Sequence, residues 1–113
     1  MQFQLREYTI EAGRLDDFVR EWRELVLPLR LAQGFSVLGP WVESDASRFV
    51  WIVGYDGDIR AADERYYASP ERDAMSPNPA RLIVEPRHVW LEPALVRRTQ
   101  PCRGSGGAGQ RPA

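Results

Sequence analysis

The chain has 113 residues, of which 43% are hydrophobic and 27% charged, proportions typical of one folded domain. Its 15 basic and 16 acidic residues are interspersed, so the sequence offers no single-signed surface for nucleic acid or an anionic membrane. Every basic residue is an arginine, which excludes chemistry that needs a Schiff-base lysine.

Cysteine content and the N-terminal segment both predict a cytoplasmic protein. The single Cys102 cannot form an internal disulfide, which fits a reducing compartment. The segment "MQFQLREYTI" lacks the basic region and apolar run of a leader, and no apolar window reaches the length of a membrane span. We therefore expect no membrane partner and no nucleic-acid partner.

The first predicted element is a strand over residues 3–10, "FQLREYTI". Successive side chains of a strand point to opposite faces of the sheet. We expect Phe3 and Leu5 to face the helices of the domain, which places Arg6 and Tyr8 on the opposite side.

A helix is predicted next, because apolar residues then recur at steps of three and four. Its apolar stripe consists of Leu15, Phe18, Val19, Trp22, Leu25, Val26 and Leu29. Pro28 removes a backbone hydrogen bond inside this pattern, so we expect a kink or a break near Leu25. Gly34 suits the end of the helix.

The second half of the domain reads as a hairpin, a helix and a final strand. Residues 35–42 and 48–55 are rich in aromatic and β-branched residues and flank the polar turn "ESDAS". Asp58 can cap a helix that extends to about Tyr67, and Ser69 with Pro70 begins a further short turn. The loop "MSPNPA" precedes the last strand, "RLIVEPRHVWLEP".

The resulting order, βαββαβ, predicts an α+β fold of the ferredoxin-like sandwich type, with both helices on one face of the sheet. Its outer strands are the second and the fourth. Pro40 and Pro86 fall on those two strands, where proline is tolerated because it cannot donate a ladder hydrogen bond. The domain is predicted to span residues 1–93, and the Gly-, Pro- and Arg-rich residues 94–113 are predicted to form a flexible tail.

Three segments of the chain resemble the NIPSNAP-like family within the dimeric α/β-barrel group. They are "QLREYTIEAGRLDDFVREW", "LPLRLAQGFSVLGPWV" and "VGYDGDIRAADERYYASPE". The resemblance implies that two ferredoxin-like sheets pack face to face across a two-fold axis. It also implies a cavity in each subunit, between the sheet and the helices or between the sheet and the partner. Relatives of this architecture include cofactor-free monooxygenases, cyclases, isomerases, haem-degrading enzymes and plain binding proteins.

A homodimer is also predicted from the pattern of the third strand. This strand places Phe49, Trp51, Val53 and Tyr55 on one face, and Val50 and Ile52 on the other. Helices on one side leave the second apolar face bare, and a second copy of the chain would cover it.

The candidate site is centred on His88, the one histidine of the chain. On the last strand His88 and Trp90 share a face, and this strand neighbours the first, so Arg6 and Tyr8 are expected in the same patch. The candidate catalytic residues are His88, Tyr8 and Arg6, and the candidate substrate-binding residues are Trp41, Phe49, Trp51, Tyr55, Tyr66 and Trp90. His88 would move a proton beside a carbonyl, while Arg6 or Tyr8 would stabilise the oxyanion.

These observations favour a cofactor-independent tailoring enzyme, of cyclase, isomerase or monooxygenase type, that acts on a hydrophobic, aromatic or polyketide-like small molecule. One histidine and one cysteine make no metal cluster, and "GSGGAG" follows no strand, so we expect no metal and no dinucleotide cofactor. Two alternatives stay open, a non-catalytic small-molecule-binding or accessory protein and a haem-binding protein. His88 can equally be an interface histidine, Arg6 an ion-pair partner, and the aromatic residues part of the core.

Overall fold

The computed structural model describes residues 1–95, so the predicted tail lies outside the described residues except for its first two positions. Four antiparallel strands form one sheet in the order β2-β3-β1-β4. They are β1 (Gln2–Ile10), β2 (Ser36–Glu43), β3 (Arg48–Tyr55) and β4 (Ile83–Leu91). The edge strands are the two predicted from their prolines, and the fold is the ferredoxin-like α+β sandwich.

The first helical segment is continuous but changes its pitch in the middle. It consists of α1 (Leu15–Glu21), a π-helical stretch (Trp22–Val26) and α2 (Leu27–Ala32). The Leu27 N–H donates to the Trp22 carbonyl, the five-residue spacing of a π turn. The interruption predicted near Leu25 is thus a widened turn. It leads into the first turn of α2, where Pro28 is tolerated because a backbone N–H at that position would make no intrahelical hydrogen bond. Gly34 follows the helix with a φ of 92°, which a residue without a Cβ adopts at no steric cost.

The second helical segment follows its predicted capping residues. The Asp58 side chain accepts from the backbone N–H groups of Arg60 and Ala61 and starts α3 (Ile59–Ala68). Ser69 caps the short α4 (Pro70–Asp73) in the same way. One 3₁₀ turn (Ser44–Ala46) joins β2 to β3, and another (Pro79–Leu82) leads into β4.

An aromatic cluster between the helices and one face of the sheet forms the core. Phe18 of α1 packs edge-on against Phe49 at 4.9 Å, and Trp22 lies 5.2 Å from both Phe49 and Trp51, measured between ring centroids. All four side chains are at most 2% exposed, so they bury the apolar area that stabilises the sandwich.

The orientation of β1 is opposite to the prediction. Gln4, Arg6 and Tyr8 are buried under the helices, whereas Phe3 and Leu5 point to the other side of the sheet. The ladder explains this orientation, because Arg6 pairs directly with Trp51 and therefore shares its face. Arg6 and Tyr8 consequently lie on the helix side, not on the side that a partner subunit would cover.

The side of the sheet without helices, here called the open face, combines apolar and charged residues. Its apolar members are Phe3, Leu5, Leu38, Trp41, Val50, Ile52, Val89 and Leu91. Its charged members form a ladder across all four strands: Arg48 bridges Glu43 at 2.8 Å and Glu7 at 3.5 Å, and Arg87 bridges Glu7 at 3.1 Å. Within residues 1–95, no helix is long and apolar enough to cross a membrane.

Candidate functional site

Two buried arginines meet one aspartate on the helix side of the sheet. Asp63 of α3 accepts from Arg6 of β1 at 3.0 Å and from Arg30 of α2 at 2.7 Å, and the Tyr67 hydroxyl accepts from both at 3.2 and 3.4 Å. We call these four residues the arginine cluster. The side chains of Arg6 and Arg30 are 2% and 1% exposed, and that of Asp63 is 25% exposed. The cluster therefore holds two buried cations against one carboxylate, an excess of one positive charge.

The surroundings of both arginines hold them in place. Burial acts to lower the pKa of Arg6, but Tyr8, Tyr67 and Asp63 outweigh it, and the pKa lies above its ordinary value. The Nε of Arg6 also donates to the Gln4 side chain at 2.8 Å. The guanidinium carbon of Arg30 lies 3.6 Å from the centre of the Tyr66 ring, a cation–π contact that stabilises a desolvated charge.

A cavity of about 50 Å³ lies next to the cluster, between the helices and the sheet. Its walls include Tyr8, Trp22, Arg30, Trp51, Tyr66 and Tyr67. Three buried polar atoms of these walls have no hydrogen-bond partner among the described residues: Trp22 Nε1, Arg30 Nε and Tyr66 Oη. The Trp51 side chain, by contrast, makes a hydrogen bond with Tyr8 that acts to lower the pKa of that tyrosine. The volume suits a few water-sized groups and is far below that of a usual ligand pocket. Trp22 lies in the π turn, a feature often found at functional sites.

A larger and more open cleft of about 230 Å³ lies on the other side of the cluster, between α3 and strands β1 and β4. Arg6 and Asp63 line this cleft, as does Trp90, whose ring lies 4.5 Å from the Arg60 guanidinium carbon. Because Arg30 and Tyr67 line the cavity, the arginine cluster is the wall between the two compartments.

His88 lies at the edge of this region without lining either compartment. The ladder sets it opposite Arg6 on β4, and its ring centroid is 6.4 Å from that of Tyr8. Within residues 1–95 it has no hydrogen-bond partner. Burial lowers the pKa of His88, the charge of Arg6 lowers it further, and Asp63 opposes both. The imidazole is therefore neutral at pH 7 and can accept a proton.

Two tyrosines near the cluster are held in the protonated form. Burial raises the pKa of Tyr8, against the opposing charge of Arg6, and burial likewise raises the pKa of Tyr66, against Arg30 and Arg72. A tyrosine with a raised pKa is a hydrogen-bond donor and a poor base.

The structure divides the candidate site residues among several places. Tyr8, Trp51 and Tyr66 line the cavity, whereas Arg6 and Trp90 line the cleft. They share the helix side of the sheet, not the side that the sequence pattern predicted for Arg6 and Tyr8.

Three candidate substrate-binding residues lie elsewhere. Phe49 is fully buried in the aromatic core, and the Tyr55 ring packs on Phe35 with its hydroxyl accepting from Arg65 at 3.3 Å. Trp41 is 54% exposed on β2, the sheet edge opposite β4, where it pairs with Val50 of the open face. A bulge between Leu38 and Trp41 shifts the register of β2.

Sequence reasoning missed Arg30 and Asp63, although a signal for both is present. Arg30 follows Trp22 by eight residues, so it continues the apolar stripe of the first helical segment. Asp63 comes four residues after Ile59, on the buried side of α3. A charged residue on the apolar stripe of each of two neighbouring helices predicts a buried ion pair.

Comparison with solved structures identifies the architecture. An uncharacterised NIPSNAP-domain protein from Burkholderia xenovorans is 24% identical over 88% of this chain and 100% of its own, with a TM-score of 0.74. A NIPSNAP family protein from Agrobacterium tumefaciens is 17% identical over 82% of this chain and 92% of its own, with a TM-score of 0.73. The chain has the NIPSNAP fold.

The same fold is shared by proteins described as monooxygenases. A putative antibiotic biosynthesis monooxygenase from Nitrosomonas europaea is 13% identical over 84% of this chain and 100% of its own, with a TM-score of 0.65. No protein-family model and no curated protein matches the sequence. The resemblance to NIPSNAP-like proteins is thus confirmed for the fold, and identities this low establish no activity.

Proposed function

We propose that the protein is a cofactor-independent enzyme that moves a proton on a small aromatic or polyketide-like molecule, bound on the helix side of the sheet. One observation carries this proposal: His88, a neutral histidine at an exposed position of β4, lies directly opposite the buried and charged Arg6 of β1. A base next to a fixed positive charge is what deprotonation beside a carbonyl needs, because the charge stabilises the enolate as it forms.

Each group has a distinct role in this proposal. His88 accepts the proton from a substrate in the cleft, and Arg6, which lines the cleft, stabilises the developing oxyanion. Three of the five N–H groups of Arg6 donate to Gln4, Tyr67 and Asp63, which fixes the guanidinium so that its positive charge faces the oxyanion. The enolate then reprotonates in an isomerase, attacks a second carbonyl in a cyclase or reacts with O₂ in a monooxygenase.

The cleft is the compartment that suits such a substrate. At about 230 Å³ it is open and is lined by the Trp90 ring, which can stack on an aromatic substrate. The cavity of about 50 Å³ is too small for an aromatic ring system.

A homodimer belongs to the same proposal, and the open face supports it. Leu38 is 50% exposed and Trp41 54% exposed, and both adjoin the half-buried Val50 and Ile52. An apolar surface that spans four strands is typical of an interface, and a two-fold axis lets one surface cover its own copy.

The test of catalysis is proton exchange on probe compounds. We expect the protein to accelerate deuterium incorporation, followed by NMR, next to the carbonyls of 1,3-diketones and hydroxylated aromatic ketones. His88→Ala should reduce the rate about 10²- to 10⁴-fold. The matched control is Glu85→Gln, three residues away on β4 with its side chain on the opposite face of the sheet.

The dependence of this rate on pH gives a second readout. The wild-type rate should fall as the pH drops through the lowered pKa of His88, because protonation removes the base, and the fall should come below pH 6.5. His88→Ala should lose this acid limb. Equal rates in wild type and His88→Ala, or an unchanged acid limb, would contradict the role of His88.

A non-catalytic binding protein is the second candidate, and one observation favours it: His88 lines neither compartment. Native mass spectrometry of the purified protein decides between the two, since a co-purifying small molecule without any exchange activity would establish the binder. A haem does not fit the residues present, because the cavity of about 50 Å³ is too small and His88 does not line it.

A further inference from the structure

The walls of the cavity carry hydrogen-bond donors that have no acceptor within residues 1–95. The Nε1 of Trp22 and the Nε of Arg30 can only donate, and the Tyr66 hydroxyl stays protonated. Each of these residues is at most 2% exposed. A buried donor without an acceptor is destabilising, so three around one cavity indicate that an acceptor belongs inside it.

The charges around the cavity specify the kind of acceptor. Arg30 and Arg72 are among the lining residues, whereas Asp and Glu are not. Asp63 serves both Arg6 and Arg30, which leaves one positive charge of the cluster uncompensated. Water would satisfy the donors but would not balance this charge, and a monoanion does both.

The volume and the walls narrow the choice further. About 50 Å³ accommodates a group of three or four heavy atoms. A phosphate would bring a second negative charge, whereas the cluster leaves one positive charge uncompensated, so a carboxylate suits the cavity better.

We propose that the cavity is a binding site for the carboxylate of a small organic acid, held by the side chains of Trp22, Arg30 and Tyr66. Arg72, whose guanidinium carbon lies 5.3 Å from the centre of the Tyr67 ring, adds a further positive charge that attracts the anion. This site is separate from the cleft and does not depend on whether His88 is catalytic.

Acetate is the probe, and acetamide is its neutral isostere. We expect sodium acetate to raise the thermal midpoint, by roughly 5–10 °C at about ten times its Kd, and calorimetry to show binding to one site per subunit. Acetamide, and sodium chloride at the same ionic strength, should leave the midpoint within about 1 °C of its starting value.

A pair of matched variants assigns the binding to the cavity. Tyr66→Phe removes one wall donor and should weaken acetate binding about 10-fold, whereas Tyr55→Phe removes a hydroxyl outside the cavity and should leave the Kd unchanged. Trp22→Phe, which keeps an aromatic side chain without the N–H, gives a second measurement with the same expected direction. Acetate that acts no more strongly than acetamide, or that binds equally to the Tyr66→Phe and Tyr55→Phe variants, would overturn the proposal.

Discussion

The two faces of the sheet use charge in opposite ways. On the helix side, Arg6 and Arg30 are almost fully buried and share Asp63. On the open face, Arg48 and Arg87 are 36% and 65% exposed and share Glu7. The carboxylates of Asp63 and Glu7 are equally exposed, at 25% each, so the faces differ in the burial of the cations. An exposed ion pair contributes little to folding stability, whereas buried arginines without their carboxylate would destabilise the fold.

The largest expected effect is on the association of the proposed dimer. Ile52→Arg places a charge in the apolar part of the open face, and the two-fold axis places it there twice. We expect a loss of about 4 kcal/mol of association free energy, roughly 10³-fold in Kd, measured by light scattering against concentration. Leu31→Arg, at a 53% exposed position on α2, is the control. A wild-type protein that is monomeric at micromolar concentration would contradict the dimer.

The second prediction concerns folding stability. It compares the loss of the Asp63 charge with the loss of the Glu7 charge. Asp63→Asn leaves both buried arginines without a counter-charge and should cost about 3 kcal/mol in the free energy of unfolding. Glu7→Gln, whose arginines reach solvent, should cost about 0.5 kcal/mol. Both variants are measured by urea denaturation in the Ile52→Arg background. Dimer contacts then make no contribution to the difference in unfolding free energy. Equal losses would mean that cation burial does not separate the two faces.

The smallest effect has the opposite sign from most core substitutions. Tyr66→Phe removes a buried hydroxyl that has no partner and keeps the ring against Arg30. We expect the unfolding free energy without ligand to be unchanged or higher by up to about 1 kcal/mol, also by urea denaturation. A loss of more than 1 kcal/mol would show that the hydroxyl is already hydrogen-bonded, for example to water.

Element order, helix caps and edge strands could be read from the sequence because each depends on local chemistry. Asp58 and Ser69 cap the helices that they were predicted to cap, and Pro40 and Pro86 lie on the edge strands. These features follow from backbone hydrogen bonds that one residue satisfies or cannot make.

The orientation of β1 could not be read in this way. Its apolar residues occupy odd positions up to Leu5 and even positions from Tyr8 onward, so the alternation changes phase within the strand. Both faces of the sheet carry apolar residues, and hydrophobicity therefore does not decide between them. The orientation is favoured by the contacts of Arg6. Its buried guanidinium donates to Asp63 and Tyr67, which lie on a helix that begins more than 50 residues later in the chain.

Only part of the candidate site could be predicted from the sequence. Alternation along β4 and the β1–β4 pairing set His88 beside Arg6, and both follow from topology. Placing Trp41 in the site ignored its position on the far edge of the sheet, and the bulge before it was not visible in the sequence.

The π turn at Trp22–Val26 has a consequence for how this chain can change its length. Such a turn holds one residue more than the regular helix, so deleting that residue would restore the regular pitch and leave Pro28 inside the helix without an N–H to donate. Every later side chain of α2 would then rotate by about 100° about the helix axis, carrying Arg30 away from Asp63. A one-residue deletion here would dismantle the cluster and strain the helix at Pro28, whereas one in the exposed 3₁₀ turn Ser44–Ala46 would alter only a connection between strands.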